Sequence, residues 1–163
     1  MKDLSTQLEQ AVTLRKEGEL SSSQSLLLSL VEAHPTDCMV HYQCAWTHDV
    51  MGLEKEAVPY YEKAIDLGLS GEDLRGALHG LGSTFRTLGE YEKAEQMLKK
   101  GMELFPEAKE FEAFYAMVLY NLGRYKEACQ RLLNQLAETT CDEDIKLYKR
   151  AIMLYAEDLD RKW

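Results

Sequence analysis

Segments rich in alanine, leucine, glutamate and lysine alternate along the chain with short breaks that contain glycine, proline or capping residues. Apolar positions within these segments recur every three or four residues, which places them on one face of a helix. The pattern therefore predicts amphipathic helices throughout and no strands. The expected helices cover residues 4–17, 20–33, 37–50, 54–67, 73–87, 91–104, 108–121 and 125–138.

A spacing of glycines and other small residues repeats four times. Each repeat has a glycine, a small residue seven positions before it and another five positions after it. The intervals between successive glycines are 34, 37 and 34 residues. Two antiparallel helices with their turns need about 34 residues, and one such pair cannot bury its apolar face alone, so the period predicts stacked helix pairs. The repeated glycines are Gly18, Gly52, Gly89 and Gly123.

The repeat resembles the tetratricopeptide repeat, and in particular the small bacterial proteins of that family. The third unit fits the family pattern best, with Leu78, Leu81, Gly82, Phe85, Gly89, Tyr91, Ala94, Leu98 and Pro106 in register. The resemblance implies an all-α fold, a right-handed α-solenoid of four helix pairs plus a C-terminal capping helix, in a single domain over residues 1–163. The expected repeats are residues 4–37, 38–74, 75–108 and 109–141.

A ninth helix is predicted over residues 142–160. It would start at a capping box formed by Thr140 and Glu143. Its first apolar stripe can seal the end of the stack. A second apolar set broadens the stripe. A helix that is apolar on two sides usually packs against two surfaces. A homodimer contact through this helix is therefore a second hypothesis. The two sets are Ile145, Tyr148, Ile152, Tyr155 and Leu159, and Leu147, Ala151 and Leu154.

Composition limits the classes of function. The 163 residues carry a formal net charge of −9 with a pI near 5.0, which disfavours binding to nucleic acid. Charged residues interrupt the first twenty positions, and no apolar run is long enough for a membrane span, so we expect neither a signal peptide nor membrane insertion. The four cysteines have no CxxC spacing, which fits reduced thiols in the cytoplasm.

One predicted helix concentrates side chains that can bind metals: Cys38, His41, Cys44, His48 and Asp49. Cys38 and His48 would lie about 15 Å apart along the helix axis, too far to share one ion. Packing in the core is therefore the favoured interpretation, and no metal or other cofactor is expected. No phosphate loop, nucleophile elbow or zinc-protease motif occurs, so the chain is not expected to be an enzyme.

In tetratricopeptide repeat proteins, the first helices of successive units line a concave groove. The resemblance implies a groove that binds a protein or peptide, although the lysine and asparagine clamp of chaperone-tail binders is missing. The leading hypothesis is therefore a cytoplasmic adaptor; the alternatives are a self-assembling homodimeric module and a metal-dependent enzyme. The expected binding residues are Arg15, Tyr42, Trp46, Asp49, His79, Arg86, Met117 and Tyr120.

Overall fold

The structure, a computed structural model, describes residues 3–162 of the chain. Within that range it contains ten helices and no strand. The helices are α1 (Leu4–Lys16), α2 (Leu20–Ala33), α3 (Cys38–Val50), α4 (Glu54–Asp66), α5 (Gly71–Thr87), α6 (Tyr91–Leu104), α7 (Glu110–Asn121), α8 (Tyr125–Thr139), α9 (Glu143–Leu147) and α10 (Lys149–Glu157).

The all-α fold and the first eight predicted helices are confirmed, with each boundary within about two residues of its expected position. The repeated glycines end the first helix of each pair, as their conformations show. Their φ angles are 85°, 73°, 78° and 76°, the left-handed region that glycine enters without a steric cost. The N–H of each following residue then bonds to a carbonyl five positions back at 2.9 Å, which satisfies an otherwise unpaired helix end.

The chain divides into two compact units, the first ending at Glu90 and the second beginning at Tyr91. In the first unit, α3 packs against α1, α2, α4 and α5. Its core is formed by Ala11, Leu27, Leu30, Val40 and Cys44. The single repeat domain over residues 1–163 stays a prediction.

The second unit is built around α7, which packs against α6 and α8. Phe111 and Tyr115 of α7 are its largest buried side chains. Phe111 lies directly against Gly101 of α6, where no side chain separates the ring from the helix backbone. The Tyr115 hydroxyl donates a hydrogen bond of 2.9 Å to Glu95, and the Arg131 guanidinium lies 4.7 Å from the centre of the Tyr115 ring.

The C-terminal segment differs from the prediction of one helix over residues 142–160. Tyr148 interrupts it: its N–H bonds to the carbonyl of Ile145, three positions back, with φ −96° and ψ 7°. This tighter turn separates α9 from α10. The predicted capping box is also wrong, because the side chain that caps α9 is Asp142, which accepts from the Ile145 N–H at 2.9 Å.

α10 packs against α8 and buries Ala156. The first predicted apolar stripe is only partly covered: Ile145 and Ile152 are half-buried, whereas the other three members are exposed. In the second set, Leu147 and Leu154 are exposed. An exposed apolar face therefore remains on the C-terminal helices.

None of the helices in residues 3–162 has the length and apolar character needed to cross a membrane.

Candidate peptide-binding surface

Trp46 of α3 is a large aromatic side chain that is exposed to solvent on the first helices of the pairs in the first unit, α1, α3 and α5. Its side chain is 43% exposed. The guanidinium carbon of Arg15, which comes from α1, lies 4.2 Å from the centre of the indole ring. A guanidinium at this distance from an aromatic face forms a cation–π interaction. The indole is thus held on one side by α1 and open on the other.

Arg15 is only 8% exposed, which is unusual for an arginine. It donates hydrogen bonds to the Thr47 hydroxyl at 3.1 Å, the Gln43 side-chain oxygen at 2.8 Å and the Gln43 carbonyl at 3.3 Å. All three acceptors are neutral. Burial lowers the pKa of Arg15, but an arginine keeps its charge at neutral pH.

Among residues 3–162, no carboxylate forms an ion pair with Arg15. A buried charge without an opposite charge is costly, and a fourth partner of negative charge would reduce that cost. The first unit therefore holds a buried cation directly beside its exposed indole, and residues 3–162 give that cation only neutral partners.

Tyr42 is buried, in contrast to Trp46 one turn further along α3. Its ring centre lies 5.8 Å from that of Trp46 and 6.3 Å from that of Tyr61. Burial raises the pKa of Tyr42 to about 12. Its hydroxyl occupies the space where Gly76 of α5 has no side chain. Tyr42 thus supports the indole and is not itself the open contact surface.

Asp49 connects three helices of the first unit. One carboxylate oxygen accepts from the Tyr61 hydroxyl and the other from the Thr84 hydroxyl, both at 3.2 Å. Burial raises the pKa of Asp49, and these two hydrogen bonds oppose that effect. His79 and Arg86 lie on α5 and are half-buried. The structure thus gives Asp49 a structural task in addition to its predicted role.

Met117 and Tyr120, the remaining predicted binding residues, lie on α7 in the second unit, and both are exposed. The Tyr120 ring meets Tyr125 edge to face, with the ring centres 5.1 Å apart. These two tyrosines form a small aromatic surface on the second unit.

Three of the five metal-capable side chains of α3 are used in packing. His41, Cys44 and His48 are buried. His48 Nδ1 lies 2.8 Å from the carbonyl of Cys44, so this nitrogen carries the proton, and the other ring nitrogen lies 3.1 Å from the Gln24 amide. Within the described part of the chain, no three His, Cys, Asp or Glu side chains converge as a metal site.

The buried Cys44 thiol gives a pH-dependent prediction. Burial raises its pKa to about 12 from an ordinary value of 9.0. Above pH 9 the unfolded chain loses this proton while the folded chain keeps it, so stability falls as pH rises toward 12. We expect Cys44 to lower the free energy of unfolding by about 1 kcal/mol between pH 8 and pH 10. Urea unfolding at both pH values should show a smaller loss of unfolding free energy in Cys44→Ala than in the wild type.

Cys129→Ala is the control for this experiment, because the Cys129 thiol is exposed. It should leave the pH dependence of the wild-type chain unchanged. Burial and the neighbouring Cys44 both raise the pKa of Tyr60, so the wild type and both variants are compared in a Tyr60→Phe background. If the free energy of unfolding changes by the same amount between pH 8 and pH 10 in Cys44→Ala and the wild type, the prediction is contradicted.

Sequence reasoning missed Gln43 and Thr47, which hold the Arg15 guanidinium in place. They lie four positions apart on α3, so they share a helix face. Their spacing is visible in the sequence, but nothing local shows that Arg15 lies opposite them.

A model of the tetratricopeptide repeat family matches residues 38–159. The chain belongs to this family. The assignment agrees with the repeated glycines, the helix pairs and the 34-residue period. Tetratricopeptide repeat proteins generally mediate protein–protein interactions and generally act as scaffolds without enzymatic activity.

Solved structures of other tetratricopeptide repeat proteins share the fold. YrrB, described as having an unusual peptide-binding site, is 21% identical with a TM-score of 0.74, and the match covers 98% of this chain and 80% of YrrB. MamA is 17% identical with a TM-score of 0.73, covering 91% and 76% of the two chains. PilF of Pseudomonas aeruginosa is 19% identical with a TM-score of 0.70, covering 94% and 68%. These identities support the fold alone.

A curated relative is the protein O-mannosyl-transferase Tmtc3 of Drosophila melanogaster, which is 27% identical over 135 residues. The match covers 82% of this chain and 14% of the relative. The chain therefore spans a small part of that protein, and the similarity concerns the tetratricopeptide repeats.

Proposed function

We propose that this tetratricopeptide repeat protein is a cytoplasmic adaptor that binds a segment of another protein at the surface around Trp46. The observation that carries the proposal is the exposed indole resting on a buried arginine, for which residues 3–162 provide no acidic partner. Tryptophan and arginine are the residue types most often responsible for binding energy at protein interfaces. The alternative of catalysis has no comparable observation in its favour.

The Trp46 surface, meaning Trp46 with Arg15 and Tyr42 beside it, is organised before a ligand arrives. Two aromatic rings and three hydrogen bonds from Arg15 restrict its side chains. A surface that is already ordered loses little conformational entropy on binding, which increases affinity. A partner side chain that covers the open face of the indole would gain apolar contact without rearranging the unit.

The charges favour a particular kind of segment. A carboxylate placed beside the indole would give Arg15 the negative partner that it lacks in the free protein. The net charge of −9 favours basic residues elsewhere in the same segment. We therefore propose a neutral or basic segment with one carboxylate, either an Asp or Glu side chain or a chain end.

Met117 and Tyr120 are proposed as partner-binding residues of the second unit by itself, because both are exposed. His79 and Arg86 are proposed to contact the ligand from α5. Asp49 would act mainly by holding α3, α4 and α5 together, through its bonds to Tyr61 and Thr84.

Replacing Trp46 by alanine should weaken binding by about 2 kcal/mol, or roughly thirtyfold, because the main apolar contact is lost. Peptides would first be selected from a displayed random library with the wild-type chain. Their dissociation constants would then be measured for wild type and Trp46→Ala by calorimetry. A Trp163→Phe background leaves Trp46 as the single tryptophan, so its fluorescence reports whether the peptide reaches the indole.

Leu28→Ala serves as the matched control, because Leu28 is an exposed apolar residue on α2, outside the first helices of the pairs. It should leave affinity unchanged. Selected peptides should also lose affinity when their acidic residue is replaced by its amide. Equal affinity of the wild type and Trp46→Ala for every selected peptide would overturn the proposal.

A further inference from the structure

The C-terminal helices expose a stripe with an ordered arrangement of charge. One shallow depression is lined by Lys146, Leu147, Lys149, Arg150, Met153, Leu154 and Glu157. Leu147 and Leu154 are 76% and 44% exposed. The opposite side of α10 carries Ala156, which is buried in the unit. We call the exposed side the terminal stripe.

Charge changes sign along the terminal stripe. Its first part is basic, its centre around Met153 and Leu154 is apolar, and its last residue is Glu157. Among residues 3–162, neither Arg150 nor Glu157 forms an ion pair or hydrogen bond through its side chain. Both charges are therefore available to a partner.

This order makes the terminal stripe complementary to itself. Arg150 and Glu157 are equally distant from the midpoint between Met153 and Leu154, about 5 Å along the helix axis on either side. If a second α10 packs antiparallel about that midpoint, each Arg150 faces the Glu157 of the other copy. The apolar centres then meet across the axis.

The other arrangements lack this match. A parallel pair would place Arg150 against Arg150 and Glu157 against Glu157, which is repulsive. An interface between identical copies with two-fold symmetry requires one self-complementary patch, and the terminal stripe has this property.

From this complementarity we infer that a second copy of the chain binds at the terminal stripe and forms an antiparallel two-fold dimer. The interface joins Met153 and Leu154 in an apolar centre with Arg150–Glu157 pairs on both sides. It goes beyond the proposed peptide binding, because it uses α10, which carries none of the residues proposed to bind the peptide. A contact limited to one short helix is small, so the dimer is weak and depends on concentration.

The test is sedimentation equilibrium of the full chain from low-micromolar to near-millimolar concentration. The wild type should show a reversible monomer–dimer equilibrium. Arg150→Glu and Glu157→Arg should each weaken association by at least about tenfold, because like charges then face each other. The double variant with both substitutions restores the pairs in reverse and should return the dissociation constant to within about threefold of the wild type.

Lys55→Glu on α4 is the control, since it makes the same type of charge reversal at an exposed site of the first unit. It should leave the dimer unchanged, and so should Trp46→Ala. Circular dichroism checks that every variant keeps its helices. A wild-type chain that stays monomeric throughout, or a double variant as weak as the singles, would overturn the antiparallel dimer without affecting the peptide proposal.

Discussion

Arg15→Ala should lower the free energy of unfolding of the first unit by about 3 kcal/mol. The substitution removes three hydrogen bonds to Gln43 and Thr47 and the contact with the Trp46 ring. It also leaves a cavity between α1 and α3, because Arg15 is buried there. Urea unfolding followed by Trp46 fluorescence in a Trp163→Phe background measures the first unit directly.

Lys16→Ala provides the control for this stability measurement, since it removes the same charge from an exposed neighbour on α1. Its effect should stay within about 0.5 kcal/mol. The free energy of unfolding of Arg15→Lys should lie between those of Arg15→Ala and Lys16→Ala, because lysine keeps the charge but loses the planar arrangement of donors. A stability of Arg15→Ala equal to that of Lys16→Ala would show that the buried contacts contribute little.

Gly101→Ala should destabilise the second unit by roughly 2–3 kcal/mol. A β-carbon at Gly101 would come within 2.5 Å of the Phe111 Cζ atom and still nearer to two other ring atoms. Phe111 is fully buried, so its ring cannot move away without displacing its neighbours. Alanine favours a helix over glycine by about 1 kcal/mol, which offsets only part of this clash.

A double-mutant cycle tests this mechanism for Gly101. Phe111→Leu removes the Cε1 and Cζ atoms, two of the three that the new β-carbon would meet, so Gly101→Ala should cost less in that background, by about 1 kcal/mol or more. Stability is measured by urea unfolding with circular dichroism. Lys100→Ala, at the exposed adjacent position of α6, is the control and should be close to neutral. If the effects of Gly101→Ala and Phe111→Leu on the free energy of unfolding are additive, the clash with the Phe111 ring is not the cause of the lost stability.

The helix pairs and the family could be predicted from the sequence because their signals are local. Gly18 and Gly52 end helices through their own φ angles, which depend on the absence of a side chain and on little else. The 34-residue period follows from the length of two helices and their turns. These features do not require knowledge of which side chains meet, so the sequence determined them.

The C-terminal segment shows where local reasoning failed. The apolar spacing correctly predicted helix, but the change of hydrogen bonding at Tyr148 has no proline or glycine to announce it. The competition between Asp142 and Thr140 for the capping position was likewise decided by backbone geometry, since both residue types are good caps.

The candidate surface depended on contacts between residues distant in sequence. Tyr42 and Trp46 are both aromatic and stand on the same helix, yet Tyr42 is buried and Trp46 is exposed. Tyr61 and the space at Gly76 account for the burial of Tyr42. Arg15 was predicted as a ligand contact, which stays a prediction, and the structure buries it beside Gln43 and Thr47.

The sequence by itself therefore determined the class of fold, the helix limits over most of the chain and the family, because periodicity and helix ends arise within a few residues. The tertiary structure alone decided which side chains remain open to a partner and which charge is left without an opposite charge. Exposure and electrostatic balance depend on every neighbour in space, and those neighbours are brought together only by packing of separate helices.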